Sequence, residues 1–227
     1  MVSPRRIRAV YRRLEKQHGS FPREEPRAPL DELVLTVLSQ HTSDVNSNRA
    51  FRSLRSRFPS WEQVLHAPTG EVADSIRSGG IAEIKARRIK TILAEIERRE
   101  EGCLDLSRLH QLSDAEADAY LQSLPGVGPK TAACVLLFSL RRPAFPVDTH
   151  VHRVARRLGW VDPNADVQKT HNELGPRVPA DIRYGVHVAL INHGRRICRA
   201  QLPLCSECTL LDLCDAGPQL LAVGTAR

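Results

Sequence analysis

Apolar residues recur three and four positions apart along nearly the whole of this 227-residue chain, and no stretch alternates apolar and polar between turn signals. The first pattern gives a helix one apolar face, and the missing alternation removes half-buried strands. The chain is therefore expected to be all-α. Ile7, Val10, Tyr11 and Leu14 share one face, which reads as an amphipathic helix docked on the body rather than a targeting segment. Helices are expected over "ELVLTVLSQ" after Asp31 and again after Asp44, where Val45, Phe51, Leu54 and Phe58 share a face. "GEVADSIRSGG" reads as a short helix stopped by Gly79 and Gly80, and Ile81, Ile84, Ile89, Ile92, Leu93 and Ile96 mark a longer one. Ser113 and Glu116 have capping-box spacing ahead of "DAEADAYLQSL". Further helices are expected over 130–140, 149–159, 166–174 and 180–197.

Hydrophobic residues make up 41% of the chain but aromatics only 4%, so the core must be mostly aliphatic. The formal charge is +7 and the pI near 9.4. An excess of this size favours a nucleic-acid partner. The basic groups Arg87/Arg88/Lys90, Arg141/Arg142, Arg153/Arg156/Arg157 and Arg195/Arg196/Arg199 read either as phosphate contacts or as solvated helix faces. No uninterrupted apolar run reaches the ~18 residues of a membrane span.

Residues 113–140 read as helix, Leu124-Pro125-Gly126-Val127-Gly128, helix. Glycines allow positive φ and close backbone approach, and Pro129 suits the first helical position. N–H groups at such a helix start suit a phosphate oxygen, which grips a DNA backbone without reading bases. The same residues also serve a plain turn between two helices. Lys130 is then either a phosphate-pairing cation or a nucleophile. A free lysine is about 99.9% protonated at pH 7, and bringing its pKa to about 8 raises the neutral share to about 10% at a cost of roughly 3 kcal/mol. A helix start, neighbouring arginines and partial burial all push that way. Asp148 is placed as the N-cap of "THVHRVARRL", and a capping carboxylate is held ionised and aimed. A cationic sugar transition state needs the same property.

Cys198, Cys205, Cys208 and Cys214 have the spacing C-x6-C-x2-C-x5-C. Four cysteines so close in a helical chain argue for metal rather than disulfides. A single C-x2-C knuckle favours an iron–sulfur cluster held by four thiolates over zinc. An oxidised four-iron cluster brings the formal charge from +7 to about +5. Cys103 and Cys134 fall outside the run, and Cys134 reads as a buried filler.

"LPGVGPKTA", "VDTHVHRV" and "HGRRIC" followed by the cysteine run together resemble the endonuclease III family of the helix-hairpin-helix DNA glycosylases, over roughly residues 5–216. The resemblance implies a two-lobed fold. A six-helix barrel lobe would cover residues 31–146, with the helix-hairpin-helix at 113–140. Residues 1–30 plus 147–227 would form an iron–sulfur lobe with a [4Fe-4S] cluster on Cys198, Cys205, Cys208 and Cys214. Damaged double-stranded DNA would lie in the cleft between the lobes.

The same resemblance implies a base-excision-repair glycosylase with abasic-site lyase activity on oxidised pyrimidines. Lys130 would attack C1′ of a flipped-out nucleotide, form a Schiff base and drive β-elimination. Asp148 would stabilise the cationic sugar. DNA contacts would fall to Leu124, Gly126, Val127, Gly128, Gln40, His41, Ile81, His150 and Arg153. "LSQHTSD" departs from the family's L-S-A-Q-A-T-D, so Gln40 or His41 fills the gap left by the flipped base, with Ile81 as an apolar plug. Gln122 and Pro129 stand where the family commonly has Glu and Arg. Competing readings are a monofunctional adenine or mismatched-thymine glycosylase, and a catalytically weak, cluster-bearing DNA-binding protein. The expected setting is a monomer in the bacterial cytoplasm, on the nucleoid.

Overall fold

The structure is a computed structural model and describes residues 2–225. The chain divides into two compact units, Pro26–Arg142 and Met1–Glu25 with Pro143–Arg227. Met1, Ala226 and Arg227, expected in the iron–sulfur lobe, lie outside the described residues. The unit boundaries fall near 25 and 142, against the expected 30 and 146. One tie that places the 26–30 segment with the first unit is the Ser139 hydroxyl, which donates to the Arg27 carbonyl at 2.6 Å.

The unit Pro26–Arg142 holds α2 (Pro29–Ser39), α3 (Asp44–Arg57), α4 (Trp61–His66), α5 (Thr69–Ser75), α6 (Ala82–Arg99), α7 (Asp114–Gln122) and α8 (Pro129–Cys134). α2 is buried nearly all round, through Leu30, Leu33, Val34, Leu35, Val37 and Leu38, and packs on α3, α6 and α8. A helix apolar on every side belongs in the middle of its unit. α6 turns Ile89, Ile92, Leu93 and Ile96 inward. Each such side chain contributes about 1.5–3 kcal/mol when fully buried. The capping box on α7 forms as expected, with the Glu116 amide donating to Ser113 Oγ at 3.3 Å and the Ser113 amide to Glu116 Oε2 at 2.9 Å.

Local detail departs from the sequence-based expectation in four places. Ser43, not Asp44, caps α3; its buried face is Ser47, Ala50 and Leu54, and Val45, about half a turn round from Leu54, is 68% exposed. Ile81 and Ile84 are each 51% exposed, and Ile81 sits just before the helix in the left-handed region at φ 41°. α4 is an additional helix, and Ser60 and Gln63 close a capping box at its start. The helix expected over 130–140 ends early as α8 and passes into a wide turn, Val135–Ser139, in which the Leu140 amide reaches five residues back to Val135 at 3.1 Å.

The second unit holds α1 (Pro4–His18), α9 (Thr149–Arg157), α10 (Val167–Leu174), α11 (Arg183–Arg196) and α12 (Gly217–Thr225). Ile7, Val10 and Leu14 of α1 join Val151, Val154, Trp160 and Leu190 in one core. α1 lies against α11 so closely that a Cβ at Gly185 would stand 2.1 Å from the Tyr11 hydroxyl. Arg6 Nη2 then links the two ends of the chain, donating to the carbonyls of Leu158 (3.3 Å) and Leu213 (2.9 Å) and to Asp215 Oδ1 (2.9 Å). Among the described residues, no helix is long and apolar enough to cross a membrane.

Candidate active site and cysteine pocket

The hairpin forms as its residue types dictate. The Val127 amide closes the turn onto Leu124 at 3.1 Å, Gly126 takes φ 72°, and Gly128 is the extended N-cap of α8 with Pro129 behind it. Leu124 and Val127, expected as DNA contacts, are buried, so what the turn exposes is the backbone of Pro125, Gly126 and Gly128. A Cβ at Gly126 would lie 3.2 Å from Arg88 Nε, a close approach that glycine permits. Lys130 is the second residue of α8 and is half-buried.

Three charged residues organise this unit, of which the sequence marks only Arg88, and that as one of an arginine group. Arg88 Nη1 donates to Gln40 Oε1 at 2.6 Å while its side chain covers Gly126, so it joins the α2–α3 turn to the hairpin. Lys85, one turn earlier on α6, is buried and donates to the carbonyls of Leu38 and Gly79, each at 2.7 Å. Burial brings its pKa down to about 8. Those carbonyls precede Gln40–His41 and Gly80–Ile81, the two turns expected to enter DNA. His41 and Ile81 both take positive φ, 54° and 41°, and both are exposed. Gln40 is therefore held by the protein, whereas His41 faces solvent.

Glu32 is the third. It is 6% exposed on α2, and it meets Arg27 Nη1 and the Thr36 hydroxyl only at 3.5 Å each. Burial raises its pKa to about 7 against the opposing pull of Arg27 and Lys130. The available signal was an acid set among the apolar positions of α2.

Asp148 lies in the other unit, half-buried, as the N-cap of α9, where its Oδ1 accepts from the Val151 amide at 2.7 Å. His150 and Arg153 follow it. Arg153 was expected to contact DNA. Its guanidinium instead donates to the carbonyls of Cys198 (3.0 Å) and Gly194 (2.8 Å), with His150 Nδ1 at 3.0 Å. It braces α9 against the end of α11 and the first cysteine.

All four cysteines of the run line one pocket, together with Arg157, His193 and the aliphatic side chains of Leu158, Leu204 and Leu210. All four are free thiols, as are Cys103 and the buried Cys134. Arg157 Nη1 donates to Cys198 Sγ at 3.2 Å. Burial pushes the Cys208 thiol up to about 11 and raises those of Cys205 and Cys214. Among the described residues, no three His, Cys, Asp or Glu side chains stand as a ready metal-holding group. Four soft sulfur donors in an apolar setting beside a guanidinium nonetheless fit an iron–sulfur cluster, which such donors select.

Comparison with known proteins bears on the whole chain. Residues 34–180 match the HhH-GPD superfamily of base excision DNA repair proteins. The chain is 42% identical over 184 residues to a putative DNA glycosylase of Arabidopsis thaliana, a match covering 81% of this chain and 60% of the plant protein. It is 35% identical over 196 residues to an endonuclease III of Thermotoga maritima, covering 86% of this chain and 87% of that one. It superposes with a TM-score of 0.82 on endonuclease III trapped as a covalent intermediate with DNA, at 29% identity, covering 97% and 100% of the two chains. The family match begins inside α2 and runs past α9, so it takes in the hairpin, Lys130 and the Asp148 cap alike. On this basis the chain belongs to the HhH-GPD superfamily of base excision DNA repair proteins, as a relative of endonuclease III.

Proposed function

We propose that this protein is a bifunctional DNA glycosylase and abasic-site lyase that removes oxidised pyrimidines from duplex DNA. The observation that carries the reading is Lys130. It is a half-buried amine at the start of the hairpin helix, in a chain whose solved relative was trapped covalently on DNA. A covalent intermediate needs a nucleophile, and a lysine amine that sheds its proton is one. Its Nζ lone pair forms a bond to C1′ of an extruded nucleotide while the C1′–N bond breaks and the base leaves with the electron pair. The resulting amine opens to a Schiff base, and loss of a C2′ proton with the 3′ phosphate cuts the strand. Asp148 supplies negative charge for the cationic sugar. The exposed hairpin backbone takes the phosphates, while His41 and Ile81 fill the stack.

Cys198, Cys205, Cys208 and Cys214 would hold a [4Fe-4S] cluster in the pocket they line. Bound there, it supplies a covalent crosslink of the C-terminal loops, with Arg157 offsetting its charge. In this reading the six-helix barrel lobe surrounds α2, the cluster lobe holds the cysteines, and the protein works as a monomer on nucleoid DNA in the cytoplasm.

Borohydride trapping tests the assignment. Wild-type protein should form a covalent adduct with duplex carrying an abasic site and should cleave duplex carrying thymine glycol. Lys130→Gln should bind the same duplex and form no adduct. A wild-type protein that binds and never traps refutes the lyase role. Excision of thymine opposite guanine without trapping would point to the monofunctional alternative.

A further inference from the structure

Lys130 must lose a proton before it can attack carbon, and the proposed reaction so far assigns no acceptor in the unit that carries it. The ion pairs and titratable groups of that unit point to one residue. Among the described residues, Glu32 is the only buried carboxylate. It lies on α2, which packs on α8, and Lys130 acts on its charge. A buried carboxylate is costly unless well paired. Here the partners are distant: Arg27 and Thr36 each stand at 3.5 Å, the outer limit of a hydrogen bond. A stabilising pair would be shorter. A carboxyl kept poorly paired beside a functional amine has the character of a group held for its proton.

We propose that Glu32 is the proton acceptor for Lys130, a positioning residue that acts through the lysine and does not touch the sugar. The proposal rests on the nucleophilic reading of Lys130. In the step, an Nζ–H bond of the ammonium breaks and an O–H bond forms on a Glu32 carboxylate oxygen, directly or through one water. The freed Nζ lone pair then bonds to C1′ as the glycosidic bond breaks, and water protonates the departing base. The charges acting on Glu32 are Arg27, from the segment before α2, and Lys130, from α8, while Thr36 adds a hydroxyl from α2 itself. A carboxyl with its pKa near 7 is matched to this task at neutral pH.

The test is the pH profile of single-turnover excision and of adduct formation on an abasic duplex. The wild type should gain rate as pH rises through about 7, as Glu32 ionises. Glu32→Gln should lose that inflection and slow both steps by about 100-fold at pH 7, with abasic-duplex affinity and far-UV circular dichroism retained. Glu32→Asp should restore the inflection. Arg27→Met is the second variant. Arg27 favours the carboxylate, so its loss should raise the Glu32 pKa and move the inflection to higher pH. A Gln variant with wild-type rate and profile, or an inflection that Arg27→Met leaves in place, overturns the proposal. The underlying reading is judged separately. If wild type traps and Lys130→Gln does not, the nucleophile stands whatever Glu32 does.

Discussion

Lys85 Nζ lies 2.7 Å from the carbonyl oxygen of Leu38, the last buried residue of α2 before the Gln40–His41 turn. The same ammonium holds Gly79 ahead of Ile81. One buried cation thus fixes the exits of two turns, and both exits lead to residues with positive φ. Left-handed backbone at a β-branched residue is strained and persists only where its surroundings enforce it.

Lys85→Met keeps most of the volume and removes the donor. It strands two carbonyls in the interior, at a cost of about 2 kcal/mol. The melting temperature should fall, and amide hydrogen exchange should quicken in residues 40–43 and 79–81 while the core of α2 stays protected. Unchanged exchange in those turns would show that Lys85 does not clamp them.

Arg88→Met frees the Gln40 amide and uncovers Gly126. Because Arg88 couples the two elements, the loss should appear as weaker discrimination between opposite bases rather than as lost trapping. Single-turnover cleavage of one lesion opposite each of the four bases measures it. Equal rates in variant and wild type for all four pairings would exclude the coupling.

In the proposed reaction Asp148 has two duties, cap and charge, that substitution separates. Asn caps a helix about as well as Asp, so Asp148→Asn should leave the melting temperature nearly unchanged while base removal slows. Asp148→Ala should slow it too and should also cost about 1 kcal/mol of stability. Equal destabilisation by both variants with unaltered excision would reduce Asp148 to a cap.

Glu32 gives a stability signature with a definite sign. Its folded pKa of about 7 stands above the ~4.3 of an unfolded glutamate. The folded state therefore binds more protons between those values, and stability falls as pH rises through the window. Glu32→Gln should raise stability at pH 8 by up to roughly 3–4 kcal/mol, read as a higher melting temperature, and change it little at pH 4. A Gln variant equally or less stable at pH 8 would contradict the buried-acid description.

The cysteine assignment makes its own demand. Protein purified without oxygen should carry about four iron atoms per chain and absorb visible light. Cys208→Ser should lose both, whereas Cys103→Ser and Cys134→Ser should keep them. Colourless protein binding a single zinc would replace the cluster.

What the sequence disclosed was whatever depends on neighbours along the chain. The capping box of α7, the Gly126–Pro129 hairpin and the Asp148 cap are local pairings between a side chain or turn residue and nearby backbone, and all three form. The start of α3 moved by one residue to Ser43, and Val45 proved to lie off the buried Leu54 face. Lys85 and Glu32 stayed hidden, and Arg88 showed only as one of an arginine group, for a different reason. Their partners lie 47, 48 and 5 positions away, or across a helix interface, and periodicity counts a charged residue as surface. Arg153, expected to contact DNA, also braces its own unit through two carbonyls that the sequence does not reveal.

Arg6 meets Leu158, Leu213 and Asp215, so the unit containing the cysteines is stitched from both ends of the polypeptide. Its first helix stays unpartnered until α9 and α11 have been made. The segment from Pro26 to Arg142 needs nothing further downstream and is free to close first. Assembly order is thus written into the topology: the segment bearing Lys130 can close before the segment bearing the four cysteines has been made.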